Sequence, residues 1–225
     1  MSSASDFFIF THVSSDLASA AFSFHQSVVS HDEHIWPRTE DEIRRYSEDG
    51  QLFAVRAAST GDIVGLCYAM LSEESNEWEV GGLTVAEEIR KLHLGSVLVR
   101  FALAATIAYY SPWKYGQRII AHVHEANEKP RNVLGRIGFE FRKDVEIPAD
   151  KAPTSMKRNA DGRICGQEFE FPREAVVQLQ EWFERETTAM LADGKADCIF
   201  DIPPGGLDGL RESLREEVAD LKGHM

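Results

Sequence analysis

Residues 96–110, Ser-Val-Leu-Val-Arg-Phe-Ala-Leu-Ala-Ala-Thr-Ile-Ala-Tyr-Tyr, are apolar on nearly every side of a 3.6-residue period, and few folds can house such a segment. The charge-free run 101–113 is shorter than the ~20 apolar residues that cross a bilayer, so no membrane span is expected and the segment reads as a helix buried in a globular core. Strand-like runs flank it at 78–85 and 118–124. Strand, helix and strand over this length predict a parallel pair joined by a right-handed crossover.

The rest of the chain is read outward from that unit. Thr39-Glu-Asp-Glu42 before Ile43 has the capping-box pattern of a helix start, and residues 14–30 are mostly small or apolar, so two short helices are expected before residue 50. Runs 52–56 and 63–71, separated by Ser59-Thr-Gly-Asp62, predict an antiparallel hairpin. In the strand 78–85, the adjacent Gly81 and Gly82 predict a bulge or a close approach of another backbone or ligand. A helix over 127–137 ending at Gly138, extended segments over 139–147 and 164–171, and a polar loop over 148–163 follow. Beyond residue 171 the pattern gives an amphipathic helix over 173–191, a short strand over 198–203 and a charged last helix over 207–222. The expected organisation is a domain over 1–171 and a mostly helical extension over 172–225.

Charge narrows the function. With 24 Lys and Arg against 37 Asp and Glu in 225 residues, the net charge of −13 disfavours phosphate-driven binding of nucleic acid and suits a cationic partner. The apolar patch 7–10 has no basic segment before it, so no secretory signal is read and a cytoplasmic location is expected. Cys67, Cys165 and Cys198 have neither the number nor the spacing of a disulfide framework or a zinc site and read as reduced packing residues.

The segment Leu83-Thr-Val-Ala-Glu-Glu-Ile-Arg-Lys-Leu-His-Leu-Gly-Ser-Val-Leu98 resembles the acyl-CoA-binding signature of the GCN5-related N-acetyltransferase (GNAT) superfamily, a strand, then Gln/Arg-x-x-Gly-x-Gly/Ala, then a helix. A second segment, Asn127-Glu-Lys-Pro-Arg-Asn-Val-Leu-Gly-Arg-Ile-Gly-Phe139, resembles the family's later helix. The resemblance covers roughly residues 6–171 and implies a GNAT-like α/β fold, a mixed sheet flanked by helices, with acetyl-CoA as co-substrate and no metal. The turn into the helix would hold a pyrophosphate on backbone N–H groups and the positive end of the helix dipole. The cofactor-binding residues so implied are Leu83, Thr84 and Val85 on the strand, then Arg90, Lys91, Leu92, His93, Leu94, Gly95 and Ser96 in the turn, and Asn127. The strand before the turn is expected to splay from the next parallel strand, with the Gly81-Gly82 bulge building the splay.

The implied reaction is acetyl transfer to a primary amine by direct attack, the acceptor being a small cationic amine or a peptide or protein amine. Glu79 falls on the position of the general base in some members, with Glu77 as its same-face reserve. A glutamate of ordinary pKa is a poor base for an ammonium and would need burial to raise it. His122 and His124 alternate on one strand face and are further proton-acceptor candidates; neither they nor the His31 and His34 pair have a metal's spacing.

Two positions depart from the pattern: His93 stands where the family has its first glycine, and Leu134 where many members carry a tyrosine acid. They support a rival reading, an acyl-CoA-binding regulatory or interaction protein with weak or lost catalysis. A third reading makes 173–222 a homodimerisation or partner-docking segment.

Overall fold

The computed structural model describes residues 7–147, 153–203 and 205–223. In chain order the elements are β1 (Phe7–His12), α1 (Ala18–Val29), α2 (Glu40–Glu48), β2 (Leu52–Ala57), β3 (Ile63–Ser72) and β4 (Glu77–Val85). These lead to α3 (Leu94–Tyr110), β5 (Arg118–His124), α4 (Glu128–Ile137), β6 (Glu140–Ile147) and β7 (Ile164–Phe171). The last are α5 (Val176–Phe183), α6 (Thr188–Leu191), β8 (Asp197–Asp201) and α7 (Gly206–Gly223). The strands form one mixed sheet in the order β6-β7-β5-β4-β3-β2-β1-β8, parallel only at β4–β5 and β1–β8.

Alternation along the strands divides the core between the two faces. Phe53, Val55, Cys67 and Ala69 point to the face covered by α3, while Leu52, Ala54, Leu66 and Tyr68 point to the face covered by α1 and α2. The all-round apolar helix is α3, and its one buried polar side chain, Thr106, donates to the Ala102 carbonyl at 2.7 Å. On the opposite face, Thr39 and Glu42 close the capping box that starts α2. Cys67 and Cys198 are free and buried, and burial pushes both thiols up to about 12.

Three elements differ from the sequence reading. The apolar patch at 7–10 is the inner strand β1, whose Phe8 and Phe10 enter the core. The single helix read over 173–191 is broken into α5 and α6 by a competing set of hydrogen bonds. Arg211 caps the end of α5 by donating to the carbonyls of Phe183 and Arg185, and Thr187 starts α6 by accepting from the Met190 amide. Residues 87–92 form a 3-10 helix, and α3 begins at Leu94 after His93 adopts a left-handed conformation, φ 61°. Of the polar loop over 148–163, residues 148–152 lie outside the described residues, as does the N-terminal segment 1–6.

The segment after Phe171 shares the core of the rest of the chain. Phe200 on β8 stacks on Phe10 at 5.2 Å and meets Phe101 of α3 at 5.6 Å, while Val176, Leu179, Phe183 and Leu214 join the same cluster.

The double glycine in β4 makes a bulge: Leu66 pairs with Thr84 and Tyr68 with Gly81, so Gly82 and Leu83 are skipped. Gly82 has φ 61°, and a Cβ there would lie 2.5 Å from the Tyr68 ring. The close approach is thus made by a side chain of this protein. Gly82→Ala is expected to lose about 2–4 kcal/mol, from left-handed strain plus overpacking, read by thermal melting. A change below ~1 kcal/mol would mean that the ring yields freely.

Candidate active site

Parallel pairing between β4 and β5 covers only Glu77–Arg118, Trp78–Ile119 and Glu79–Ile120. Beyond that point the strands separate, and a cleft of about 780 Å³ opens between residues 80–85 of β4 and 121–124 of β5. It runs past the entry of α3 and on to the segment after Phe171. Thr84 Oγ1, His34 Nε2 and Arg38 Nε are buried without a hydrogen-bond partner among the described residues, and all three residues line the cleft. Buried polar atoms are almost always paired, so three orphans in one cavity mark where a polar ligand or water would sit.

At one end of the gap, His122 lies between two carboxylates. Its Nδ1 is 3.6 Å from Glu79 Oε2 and its Nε2 3.4 Å from Glu168 Oε2. Both partners favour the imidazolium: contact with Glu79 is the main cause, burial opposes it, Glu168 adds to it, and the pKa rises above its ordinary value of ~6.5. Glu79 moves the other way. Burial works to raise it, but His122, Arg38 and Tyr68 outweigh burial and hold the carboxyl below the usual glutamate range. The lift that a glutamate base would need is therefore reversed by its neighbours. Tyr68 links the two sides of the site: its hydroxyl accepts from Arg38 and donates to Glu79 Oε1 at 3.3 Å.

The other candidates are occupied elsewhere. His124 Nδ1 accepts from the Ala126 amide at 3.1 Å and its Nε2 donates to the Lys157 carbonyl at 3.0 Å, which fixes one neutral tautomer and leaves no ring nitrogen for a substrate proton. The His34 ring packs edge-on against it at 5.1 Å and bonds Asp32 through Nδ1. Glu77 is paired with Arg118. Among the described residues no group of three or more His, Cys, Asp or Glu is arranged to hold a metal ion, and no helix is long and apolar enough to cross a membrane.

At the middle of the cleft, the amides of Leu94 and Gly95 precede the first intrahelical bond of α3, in which Ser96 N–H donates to the His93 carbonyl. A Cβ on Gly95 would lie 3.2 Å from Val85 Cγ2, so this glycine lets the helix entry press against the end of β4. The His93 side chain donates through Nδ1 to Asp193 Oδ2 at 2.9 Å, on the loop after α6. Leu83, Thr84 and Val85, then Arg90, His93, Gly95 and Ser96, and finally Asn127 all line the cleft. Lys91 is exposed, Leu92 packs against the core and Leu94 is buried in it, and none of the three lines the cleft. Leu134 lines it as a buried hydrocarbon, so α4 presents no phenol there. The splayed strands, the orphaned Thr84 hydroxyl and the helix entry have the room and the polar groups that an acyl-CoA would need, with residues 93–96 as the donors available to a diphosphate.

Four participants escaped the sequence reading: Arg38, Tyr68, Glu168 and Asp193. Only Tyr68 had a local signal, the two glycines its ring requires.

This combination of a bulged β4, a splayed parallel neighbour and a helix entry at the gap is that of an acetyltransferase fold. The sequence model of the acetyltransferase (GNAT) family matches residues 16–139, more than half of the chain, and the chain belongs to that family. No curated protein is a significant sequence match. Solved structures share the fold at low identity. A GNAT-family acetyltransferase from Streptococcus pneumoniae is 14% identical with a TM-score of 0.54, covering 72% of this chain and 98% of that one. The ribosomal-protein-S18-alanine N-acetyltransferase from Escherichia coli is 15% identical with a TM-score of 0.52, covering 73% and 93%. A ribosomal-protein-alanine N-acetyltransferase from Brucella melitensis is 14% identical with a TM-score of 0.53, covering 72% and 97%.

Proposed function

We propose that the protein transfers an acetyl group from acetyl-CoA to a primary amine by direct attack, with His122 as the proton acceptor. The observation that carries this reading is the placement of His122, flanked by Glu79 and Glu168, where β4 and β5 part. Bound acetyl-CoA supplies an activated acetyl group and a thiolate leaving group.

The protein's own residues supply the rest. An alkylammonium with pKa near 10.4 must lose a proton before it can attack, at a cost of roughly 4–5 kcal/mol at neutral pH. The two carboxylates raise the basicity of His122 and so narrow the gap to that ammonium. Glu79, held ionised, orients and stabilises the imidazolium instead of taking the proton itself. The amides of Gly82 and Leu83, outside the β3 register, are the donors proposed to polarise the thioester carbonyl.

The test is release of CoA thiol in the presence of acetyl-CoA and a panel of small amines and free-amine peptides, with mass spectrometry of the protein given acetyl-CoA alone. Turnover with at least one amine and no acyl-enzyme is expected; an accumulating acyl-enzyme would contradict direct attack. A pH profile adds a second check. Because His122 must be neutral to act, kcat/KM is expected to rise with pH through a value above ~6.5. Glu79→Gln removes the main cause of the raised pKa, so the acid limb should move to lower pH. An unmoved limb would separate Glu79 from the reaction.

A further inference from the structure

Past the entry of α3, the cleft ends in a cationic corner. Arg100 lies one helical turn beyond Ser96 and donates to the Ser96 carbonyl at 3.3 Å and the Arg136 carbonyl at 3.0 Å. Its guanidinium sits 4.8 Å from the Trp182 ring of α5, and Arg185 approaches the same ring at 5.7 Å. These groups line a pocket of about 260 Å³ that shares Arg100, Arg136, Trp182 and Arg185 with the large cleft.

The charge balance there is unlike that of the chain. In a protein of net charge −13, three guanidinium groups face one concavity and Glu181 is the one carboxylate among the described residues lining it. Arg185 is partly offset by Asp193 at 3.3 Å, whereas Arg100 and Arg136 have no ion-pair partner among the described residues. Burial first, and then the neighbouring Arg185, pull the Arg100 guanidinium down to about 10, against the opposing pull of Asp193. An anion would relieve that arrangement, and arginine forks match phosphate oxygens.

We infer that this corner binds the 3′-phosphate of the coenzyme, so that the segment after Phe171 completes the nucleotide end of the acyl-CoA site and makes the protein selective for CoA over its 3′-dephospho form. The inference rests on the acyl-CoA reading above. Distance supports it, since a helical turn of ~5.4 Å separates Ser96, beside the proposed diphosphate cradle, from Arg100. Trp182 and Arg185 lie outside residues 16–139, the part matched to the family, so this wall is contributed by the chain's own extension.

Calorimetric titration of the full chain with acetyl-CoA and with 3′-dephospho-acetyl-CoA tests it. Acetyl-CoA is expected to bind roughly 10- to 100-fold more tightly, the effect of charge-assisted hydrogen bonds to one phosphate. Arg136→Gln and Arg185→Gln should each shrink that ratio while leaving the affinity for the dephospho ligand nearly unchanged. Arg136 serves as the second variant because its side chain makes no hydrogen bond among the described residues, only its carbonyl accepting from Arg100. Equal affinity of the parent for both ligands would overturn the inference and leave the acyl-CoA reading standing. Variants that weaken both ligands alike would also overturn it. Absence of binding by either ligand would overturn the acyl-CoA reading itself and the inference with it.

Discussion

Replacing His122 with alanine is expected to lower kcat by roughly 10²- to 10⁴-fold while leaving the affinity for acetyl-CoA within about twofold of the parent. The two readouts separate because His122 sits at the point where the strands part, one end of the cleft, whereas the helix entry that would hold the diphosphate is formed by residues 93–96. The defect should shrink as pH rises, because more of the amine is then already neutral in solution and a proton acceptor matters less. Steady-state thiol release from pH 6 to 10, paired with calorimetry at neutral pH, checks both parts. A loss smaller than ~10-fold with a good amine substrate would remove His122 from the chemistry.

Phe200→Ala is expected to destabilise the fold by about 3–5 kcal/mol, the usual cost of emptying a buried phenylalanine site, and to lower Tm by roughly 6–20 °C. The ring is in contact with Phe10, Phe101 and Phe183, which belong to β1, α3 and α5, so the cavity would open among three elements together. A shift below ~3 °C in a thermal melt would show that the segment after Phe171 is peripheral to the core. The expected loss follows from one continuous apolar cluster that includes residues from both sides of Phe171.

What could be read from the sequence depended on whether the information was local. The β4–α3–β5 unit was legible because an all-round apolar helix has few environments open to it and Gly81-Gly82 marks a bulge by composition alone. Strand β1 was not legible: six residues with Phe7, Phe8 and Phe10 become a strand only because β2 and β8 pair with them from distant parts of the chain. The break between α5 and α6 depends on Arg211, a residue of the last helix, which no local propensity reports. At the site, Glu79 and His122 could be placed by strand alternation. Glu168 is brought to His122 by antiparallel pairing of β5 with β7, and Asp193 reaches His93 from a loop 100 residues away. The chemistry of Glu79 was legible only in part, since its pKa is set by His122, Arg38 and Tyr68, and only the first of these was in view.

The parallel pairing of β1 with β8 has a consequence for biosynthesis. Phe7 pairs with Asp197, so during synthesis β1 gains its outer neighbour only after roughly 190 further residues, on the order of 10–40 s at ordinary elongation rates. During that interval one side of β1 offers unsatisfied amides and carbonyls beside the apolar Phe8 and Phe10, a template on which a second nascent chain could add a strand. Arrival of the C-terminal segment closes that edge. Truncations that remove β8 should therefore show their defect first as association between newly made chains, before any loss of the site.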